Sequence, residues 1–145
     1  IVPFEEMKLI RWSSENRAND RLAKYAIDGK PITVWHSQFS KEKKKHPHEL
    51  VIDLGQTRII NGFYYLARQD KGWNGTFGET EFYVSDNADH FPEEPYVRCM
   101  FKKEKQAQRV KGDKISCRYV LVRNVSEVAG NDFGSAADIA VVLAK

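Results

Sequence analysis

The sequence predicts an all-β protein, built as an antiparallel β-sandwich. Short segments rich in β-branched and aromatic residues recur along the chain, and Gly, Pro, Asn and Asp mark turns between them. No convincing long amphipathic helix interrupts this pattern. The 145 residues are most simply one domain, residues 1–145, long enough to bury roughly two thirds of the surface of the unfolded chain. Short strands with frequent turns in a single domain are typical of a sandwich.

The individual strands are predicted from apolar runs that end at turn signals. Residues 79–85 alternate clearly, with Phe82 and Val84 facing one way and their neighbours the other. Gly55 closes the run that precedes it, and we expect the chain to turn there. The predicted strands are residues 7–12, 33–35, 48–54, 59–67, 79–85, 96–101, 106–110, 116–125 and 137–143.

Residues 26–39, with the sequence AIDGKPITVWHSQF, are the most informative segment. Asp28 and Gly29 predict a turn, because both residues tolerate the left-handed region. Pro31 prevents a helix from continuing through the segment. The strand at 33–35 then ends at a histidine beside aromatic residues. The segment is either an ordinary turn and strand, or a loop that offers oxygens on one side and an imidazole on the other.

The composition excludes several classes of partner. The net charge of +3 is too small to suggest binding to nucleic acid or to an anionic membrane. The lysine-rich residues 41–45 are interpreted as a solvated loop. No apolar run approaches the length of a membrane span, and the start shows no signal-peptide pattern. Cys99 and Cys117 are too far apart for a local zinc site; a disulfide and two buried thiols both remain open.

Enzyme motifs are missing from the sequence. The four histidines, at positions 36, 46, 48 and 90, have no paired metal-binding spacing. No nucleophile elbow, phosphate-binding loop or dinucleotide fingerprint is present. No carboxylates pair in an apolar context, as a glycosidase would require. We therefore expect a domain that is not an enzyme.

A binding site is better supported, because three predicted loops carry the same chemistry. They combine planar hydrogen-bonding groups with aromatic rings: His36 with Phe39, Arg68 with Trp73 and Asn74, and Asn131 with Phe133. Sugars offer hydroxyls to such planar groups and C–H faces to such rings. A sandwich gathers its loops at each end, so distant segments can share one rim. In the glycine-rich loop 68–78, Trp73 and Phe77 are either exposed for binding or packed back onto the sheet.

Five motifs give the chain a family resemblance. They are AIDGKPITVWHS at 26–37, PHELVIDLG at 47–55, LARQDKGWNG at 66–75, FYVS at 82–85 and FGSAADI at 133–139. In this order they resemble a discoidin-type domain, the galactose-binding-like jelly roll of coagulation factor C-type domains and family 32 carbohydrate-binding modules. The N-terminal module of galactose oxidase is especially similar. The resemblance runs from about residue 7 to residue 143.

The resemblance implies roles for five residues. In sugar-binding members, the histidine of the WHS motif, here His36, bonds the axial and neighbouring hydroxyls of a galactose-like ring. The arginine of the RQD motif, here Arg68, binds an adjacent hydroxyl, and the following amide is that of Asn74. The family's stacking rings correspond to Phe39 and Phe133.

Two more residues are candidates at the same rim. An acidic residue from the first polar loop often joins the site in this family, and Asp20 lies there, next to Asn19. Trp73 is a local feature that narrows or enlarges the site. The alternatives are purely structural roles, in which His36 is a core residue and Arg68 is only an ion-pair partner of Asp70.

The resemblance also implies a structural Ca²⁺ that joins the two ends of the chain. Oxygen ligands drawn from two distant loops suit this ion. The implied ligands are the carboxylates of Asp28 and Asp138, with Thr33, and the carbonyl groups of Tyr25, Lys30 and Ala137.

The sequence therefore predicts a non-catalytic carbohydrate-binding module for terminal galactose-type or N-acetylhexosamine sugars. We expect a monomeric module, tethered to other domains of a larger glycan-processing or cell-surface protein, in an extracellular, periplasmic or cell-surface location. The alternative is an adhesion module that binds protein or phospholipid through exposed rings such as Trp73 or Phe77.

Overall fold

A computed structural model describes the whole chain, Ile1–Lys145. It is built of β-strands and three short 3-10 helical turns, so the predicted fold class is confirmed. The strands are β1 (Lys8–Trp12), β2 (Trp35–His36), β3 (His48–Leu66), β4 (Glu79–Ser85), β5 (Val97–Met100), β6 (Gln108–Asn124), β7 (Ser135–Ala136) and β8 (Asp138–Leu143). The 3-10 turns are Phe4–Glu6, Arg17–Asn19 and Ala23–Ile27.

Two long antiparallel strands, β3 and β6, run through both layers of the sandwich. The first half of β3 pairs with β1, and its second half pairs with β8. The second half of β6 pairs with β4, which in turn carries β5 at the edge. All these pairings are antiparallel. A separate two-stranded ribbon, β2 with β7, lies at one end.

The predicted strand end at Gly55 is wrong. Residues 48–54 and 59–67 belong to one strand, β3, and the predicted strands 106–110 and 116–125 are likewise joined in β6. Gly55 does adopt a positive φ of 86°, but the chain bends there without reversing. The register with β6 shifts between Asp53 and Arg58, as in a bulge.

The core between the layers is rich in stacked aromatic rings. Phe63 stacks on Phe82 with ring centroids 4.1 Å apart, and Tyr65 stacks on Phe77 at 4.4 Å. Trp35 is fully buried and meets Phe77 edge-on. Phe77 is therefore a core residue, so of the two alternatives left open for this ring the packed one is correct.

The two cysteines do not form a disulfide. Cys99 is half-buried and Cys117 is buried, and both thiols are free. Burial raises the pKa of each thiol to about 12. These are therefore poorly reactive thiols. None of the helical segments has the length and apolar character that a membrane span requires.

Candidate functional site

The β2–β7 ribbon brings distant parts of the chain to one end of the sandwich. His36 pairs with Ser135 across the ribbon. Beyond it, the Ser37 amide donates to the Gly134 carbonyl at 2.8 Å, and the Gly134 amide donates to Ser37 Oγ at 3.0 Å. The Ser135 amide donates to the carbonyl of Gly75 at 2.8 Å. All three loops that share a binding chemistry therefore meet at this end.

These loops enclose a pocket of about 180 Å³. Five of the seven residues predicted to bind a ligand line it together. The complete lining is Asn19, Arg21, His36, Phe39, Arg68, Asn74 and Phe133. The spatial convergence on which the predicted site depends is therefore present.

His36 presents one defined ring nitrogen to the pocket. Its Nδ1 lies 2.7 Å from the Ser37 carbonyl oxygen, so Nδ1 carries the proton and donates to that oxygen. Nε2 makes no hydrogen bond within the protein. Burial lowers the pKa of His36, and the charges of Arg68 and Arg21 lower it further. At neutral pH the ring is uncharged, and Nε2 is a hydrogen-bond acceptor.

Arg68 is both an ion-pair partner and a pocket residue. Its Nε and one terminal nitrogen donate to the two carboxylate oxygens of Asp70, each at 2.8 Å. The other terminal nitrogen donates to the Asn74 carbonyl at 3.2 Å. This pairing lowers the pKa of Asp70 to about 2. Three of the five N–H groups of a guanidinium are thus used, and two remain for a ligand.

Two phenylalanines and the imidazole form a cluster of rings at the pocket. Phe39 lies edge-on to His36 with centroids 4.9 Å apart, and Phe133 lies 5.2 Å from His36. Phe39 and Phe133 are 5.9 Å apart at a steep angle. Phe39 is 39% exposed, so an aromatic surface faces outward beside the polar groups.

Asp20 and Trp73 do not line the pocket that the other five predicted residues share. Asp20 adopts a left-handed conformation, with φ 58°, and its carboxylate accepts from the Tyr25 hydroxyl at 3.0 Å. The preceding residue, Asn19, takes the pocket position instead. The Trp73 ring is covered by Lys105, whose Nζ lies 3.8 Å from the ring centroid. Because Lys105 lies over the ring, Trp73 offers less open aromatic surface to a membrane or a protein partner than an uncovered ring would.

No pattern in the sequence indicated the buried polar residues that hold the loops in place. Glu127 is 5% exposed, and its carboxylate accepts from the backbone amides of Gly75, Ala129 and Asn131. Asn16 is 1% exposed and accepts from the amide of Phe39 at 3.1 Å. Each of them also binds a backbone amide in a distant segment, Gly75 for Glu127 and Phe39 for Asn16, so no local motif marks them.

His48 holds the loop that carries Phe133. Its Nε2 lies 2.6 Å from the carbonyl oxygen of Asp132, and its buried Nδ1 has no partner. Burial lowers the pKa of His48 to about 4. His46 packs against it with ring centroids 4.4 Å apart. The neutral ring therefore donates from Nε2 and fixes the residue next to Phe133.

Four of the six residues predicted to bind Ca²⁺ meet at a separate place, beside the start of β8: Asp28, Lys30, Thr33 and Asp138. Asp138 Oδ1 accepts from the Gly29 amide at 2.9 Å, and Asp28 accepts from Thr33 Oγ1 at 2.5 Å. The carbonyl of Lys30 accepts from Thr33. Burial raises the pKa of Asp138 to about 7, and the nearby charge of Asp28 contributes to the rise. We call Asp28 and Asp138 the acidic pair.

The acidic pair fits a hard cation in its donor chemistry. Its groups are all oxygens, and no third acidic, histidine or cysteine side chain joins them. Further ligands would have to be backbone carbonyls, as the predicted set of Tyr25, Lys30 and Ala137 requires. A buried carboxylate beside a second, half-buried one is costly, and a divalent ion would reduce that cost.

Comparison with known proteins yields one family and several relatives. The family model of the F5/8 type C domain matches residues 10–139. A sialidase from Micromonospora viridifaciens is 30% identical over 130 residues, and a galactose oxidase from Gibberella zeae is 31% identical over 117 residues. These matches cover 89% and 80% of this chain, but only 20% and 17% of the two relatives.

A solved structure supports the same relationship. A CBM32 module of a GH89 protein from Clostridium perfringens, in complex with GalNAc-β-1,3-galactose, is 29% identical and superposes with a TM-score of 0.86. The match covers 97% of this chain and 98% of that module. A family 32 module from the same organism, in complex with galactose, has the same fold at 24% identity and a TM-score of 0.82.

Proposed function

The chain belongs to the F5/8 type C domain family, and on this premise we propose that it is a non-catalytic carbohydrate-binding module. Its proposed ligand is a terminal galactose-type or N-acetylhexosamine sugar. The structural neighbours are themselves binding modules rather than catalytic domains, in agreement with the expectation that this domain is not an enzyme. One observation carries the proposal: His36, Arg68 and Asn74 meet the rings of Phe39 and Phe133 in a single pocket.

The polar groups of the pocket complement adjacent hydroxyls. His36 Nε2 accepts a hydrogen bond from one hydroxyl, and the two remaining N–H groups of Arg68 donate to its neighbours. The side-chain amide of Asn74 makes no hydrogen bond in the protein and can donate or accept. Because Asp70 and the Asn74 carbonyl hold the guanidinium in place, little ordering is needed on binding.

The aromatic rings provide the other half of a sugar site. Phe39 and Phe133 offer apolar surface to the C–H face of a pyranose, while the polar groups bind its edge. The pocket is small and shallow, so we expect weak binding, with Kd values in the millimolar to high micromolar range, about −4 to −6 kcal/mol. A weak module gains avidity when it is tethered to further binding or catalytic domains.

We propose that the domain is part of a larger glycan-processing or cell-surface protein. The chain spans only 20% and 17% of the length of the sialidase and galactose oxidase that it matches. Both relatives combine such a domain with a much larger remainder. A glycan partner outside the cell, in the periplasm or at the cell surface, suits this arrangement. We expect a monomeric module with no affinity for nucleic acid.

We also propose that the acidic pair binds a structural Ca²⁺. Asp28 and Asp138 would supply carboxylate oxygens, with Thr33 and the carbonyls of Tyr25, Lys30 and Ala137 around them. The oxygen-only donor set and the two neighbouring carboxylates support this proposal. A bound ion would tie the segment after the third 3-10 turn to the start of β8.

Calorimetric titration with galactose and with N-acetylgalactosamine tests the proposed sugar site. We expect saturable binding to the wild-type protein and none in His36→Ala, because the only acceptor nitrogen at the pocket is lost. His90→Ala removes an exposed histidine outside the pocket and is the matched control. Absence of saccharide binding in the wild-type protein, or equal binding by His36→Ala, would overturn the proposal.

A further inference from the structure

A second and larger hollow lies directly beside the pocket. Its volume is about 520 Å³, and Trp12, Asn16, Gln38, Ser40 and Lys41 are among the residues that line it. We call it the Trp12 groove. Gln38 and Ser40 face the groove, whereas Phe39 between them lines the pocket. Side chains alternate in this way along an extended segment, so residues 38–40 form a wall common to both hollows.

The buried side chain of Asn16 fixes this common wall. Its Oδ1 accepts from the amides of Phe39 at 3.1 Å and Ser40 at 3.0 Å. Its Nδ2 donates to Oδ1 of Asn19 at 2.8 Å. Asn16 lines the groove and Asn19 lines the pocket. The two hollows are therefore neighbours held in a fixed relation by one side chain.

The aromatic rings that the protein exposes most are those of the two hollows. Trp12 is 43% exposed, Phe39 is 39% exposed, and Tyr64 follows at 36%. The Tyr64 ring is partly covered by the guanidinium of Arg109, 5.4 Å from its centroid. The other two tryptophans are not available, because Trp35 is buried and Trp73 lies under Lys105. Trp12 is thus the one tryptophan that offers an open face.

The groove also contains polar groups without partners in the protein. The Nε1 of Trp12 and the Oε1 of Gln38 make no hydrogen bond, and the Nζ of Lys41 makes no ion pair. Gln38 Nε2 has only a long contact, at 3.3 Å, with the Ser40 carbonyl. A flat ring beside free amide, indole and ammonium groups is the same combination that the pocket presents.

We propose that the Trp12 groove binds the second and following units of an oligosaccharide whose terminal sugar occupies the pocket. The inference rests on the proposed function and extends it to a longer ligand. The pocket, at about 180 Å³, is smaller than the roughly 300–1,000 Å³ of most small-molecule sites, whereas the groove at about 520 Å³ falls within that range. The next sugar unit stacks on Trp12, and the amide of Gln38 binds its hydroxyls.

Calorimetric titrations with galactose and with a panel of galactose-terminated trisaccharides that differ in the first linkage test this inference. For at least one linkage, the wild-type protein is expected to bind the trisaccharide about tenfold more tightly than galactose. Trp12→Ala is expected to lose this gain, and Trp12→Phe, which keeps an aromatic face, to retain most of it. Tyr64→Ala removes another exposed ring that lines neither hollow and is expected to keep the full gain.

The outcomes separate this inference from the proposed function. If galactose binds but no trisaccharide binds more tightly, or if Trp12→Ala keeps the gain, the groove is not a sugar subsite and the pocket proposal stands. If the wild-type protein binds neither galactose, nor N-acetylgalactosamine, nor any trisaccharide, the proposed function fails and the inference fails with it. A thermal melt of each variant verifies that it is folded.

Discussion

The pocket and the acidic pair differ in whether their charged side chains have a partner of opposite charge. In the pocket, Arg68 is held by Asp70, and the neighbouring histidine is neutral. At the acidic pair, two carboxylates lie close together, and burial with mutual repulsion raises the pKa of Asp138. The charge of Arg68 is thus compensated by Asp70 before any ligand binds. At the acidic pair, a bound proton or cation would reduce the repulsion between the two carboxylates.

The largest predicted effect is a loss of stability when Glu127, which holds the loops around the pocket, is replaced. Glu127→Ala removes the acceptor of the amides of Gly75, Ala129 and Asn131. An unsatisfied buried group costs about 1–3 kcal/mol, so we expect a loss of about 3–5 kcal/mol in the free energy of unfolding, measured by urea denaturation. The variant is also expected to bind sugar more weakly.

Glu93→Ala is the matched control for this variant, because Glu93 is exposed and makes no ion pair. It should change stability by less than about 0.5 kcal/mol. A Glu127→Ala protein as stable as this control would contradict the role of Glu127 as the support of the loops.

The proposed Ca²⁺ site at the acidic pair is tested by comparing the stability of the protein with and without Ca²⁺. An ion that binds only the folded protein stabilises it by about 2.7 kcal/mol at a hundred times its Kd, which corresponds to a rise of about 5–10 °C in Tm for a domain of this size. We expect this rise in a thermal melt with Ca²⁺ over the same melt with chelator. The sugar affinity is expected to stay the same, because the two sites share no residue.

Asp138→Asn should abolish the response to Ca²⁺, whereas Asp86→Asn, at an exposed position, should retain it. Equal melting temperatures with Ca²⁺ and with chelator would exclude an ion of structural importance.

At the pocket, the contributions of Arg68 and of its ion-pair partner Asp70 to sugar binding can be measured separately. Arg68→Ala removes two N–H groups proposed to bind the sugar and also the contact to the Asn74 carbonyl. We expect galactose binding to weaken by about 2 kcal/mol, roughly thirtyfold, in calorimetric titration. Asp70→Asn keeps the guanidinium and should weaken binding only a few-fold. Equal losses of galactose affinity in both variants would mean that Arg68 acts only through its ion pair with Asp70 and does not bind the sugar directly.

The smallest predicted effect is the pH dependence produced by His48. The pKa of this residue is lowered from 6.5 to about 4 in the folded protein, so the unfolded chain takes up the proton first as the pH falls. The stability contributed by the neutral ring is complete above about pH 6.5 and is lost as the pH falls toward 4. We expect a loss on the order of 1–2 kcal/mol, below the full shift because the loop can relax.

Thermal melts of the wild-type protein and His48→Gln across this pH range check the prediction. The variant lacks a titrating ring and should show a smaller decrease on acidification. Parallel curves for the two proteins would show that another group causes the decrease.

The sequence was sufficient for the fold class, which depends on local strand and turn signals, and the family resemblance indicated most of the residues that line the pocket. His36, Arg68 and Asn74 lie in motifs whose turns place them at one end of the sandwich. Trp73 lies outside the pocket lining, and Lys105, more than thirty residues away along the chain, lies over its ring. Asn19 rather than Asp20 lines the pocket, and Asp20 has a left-handed backbone conformation in a short turn.

Features that depend on long-range geometry were not predictable in the same way. Gly55 carries an ordinary turn signal, yet pairing with β6 on both sides of it keeps β3 continuous. Glu127 and Asn16 look like any polar loop residue until their backbone partners are known. Trp12 was predicted only as the end of a strand, and its open face depends on the neighbouring segment at 38–40.

A crystal structure of the protein soaked with galactose tests the central claim most directly. We expect one galactose in the pocket, with a hydroxyl within hydrogen-bonding distance of His36 Nε2, another at the Arg68 guanidinium, and a C–H face against Phe39 or Phe133. Galactose bound only at other surfaces, or a pocket that stays free of sugar at saturating concentration while open to solvent in the lattice, would contradict it.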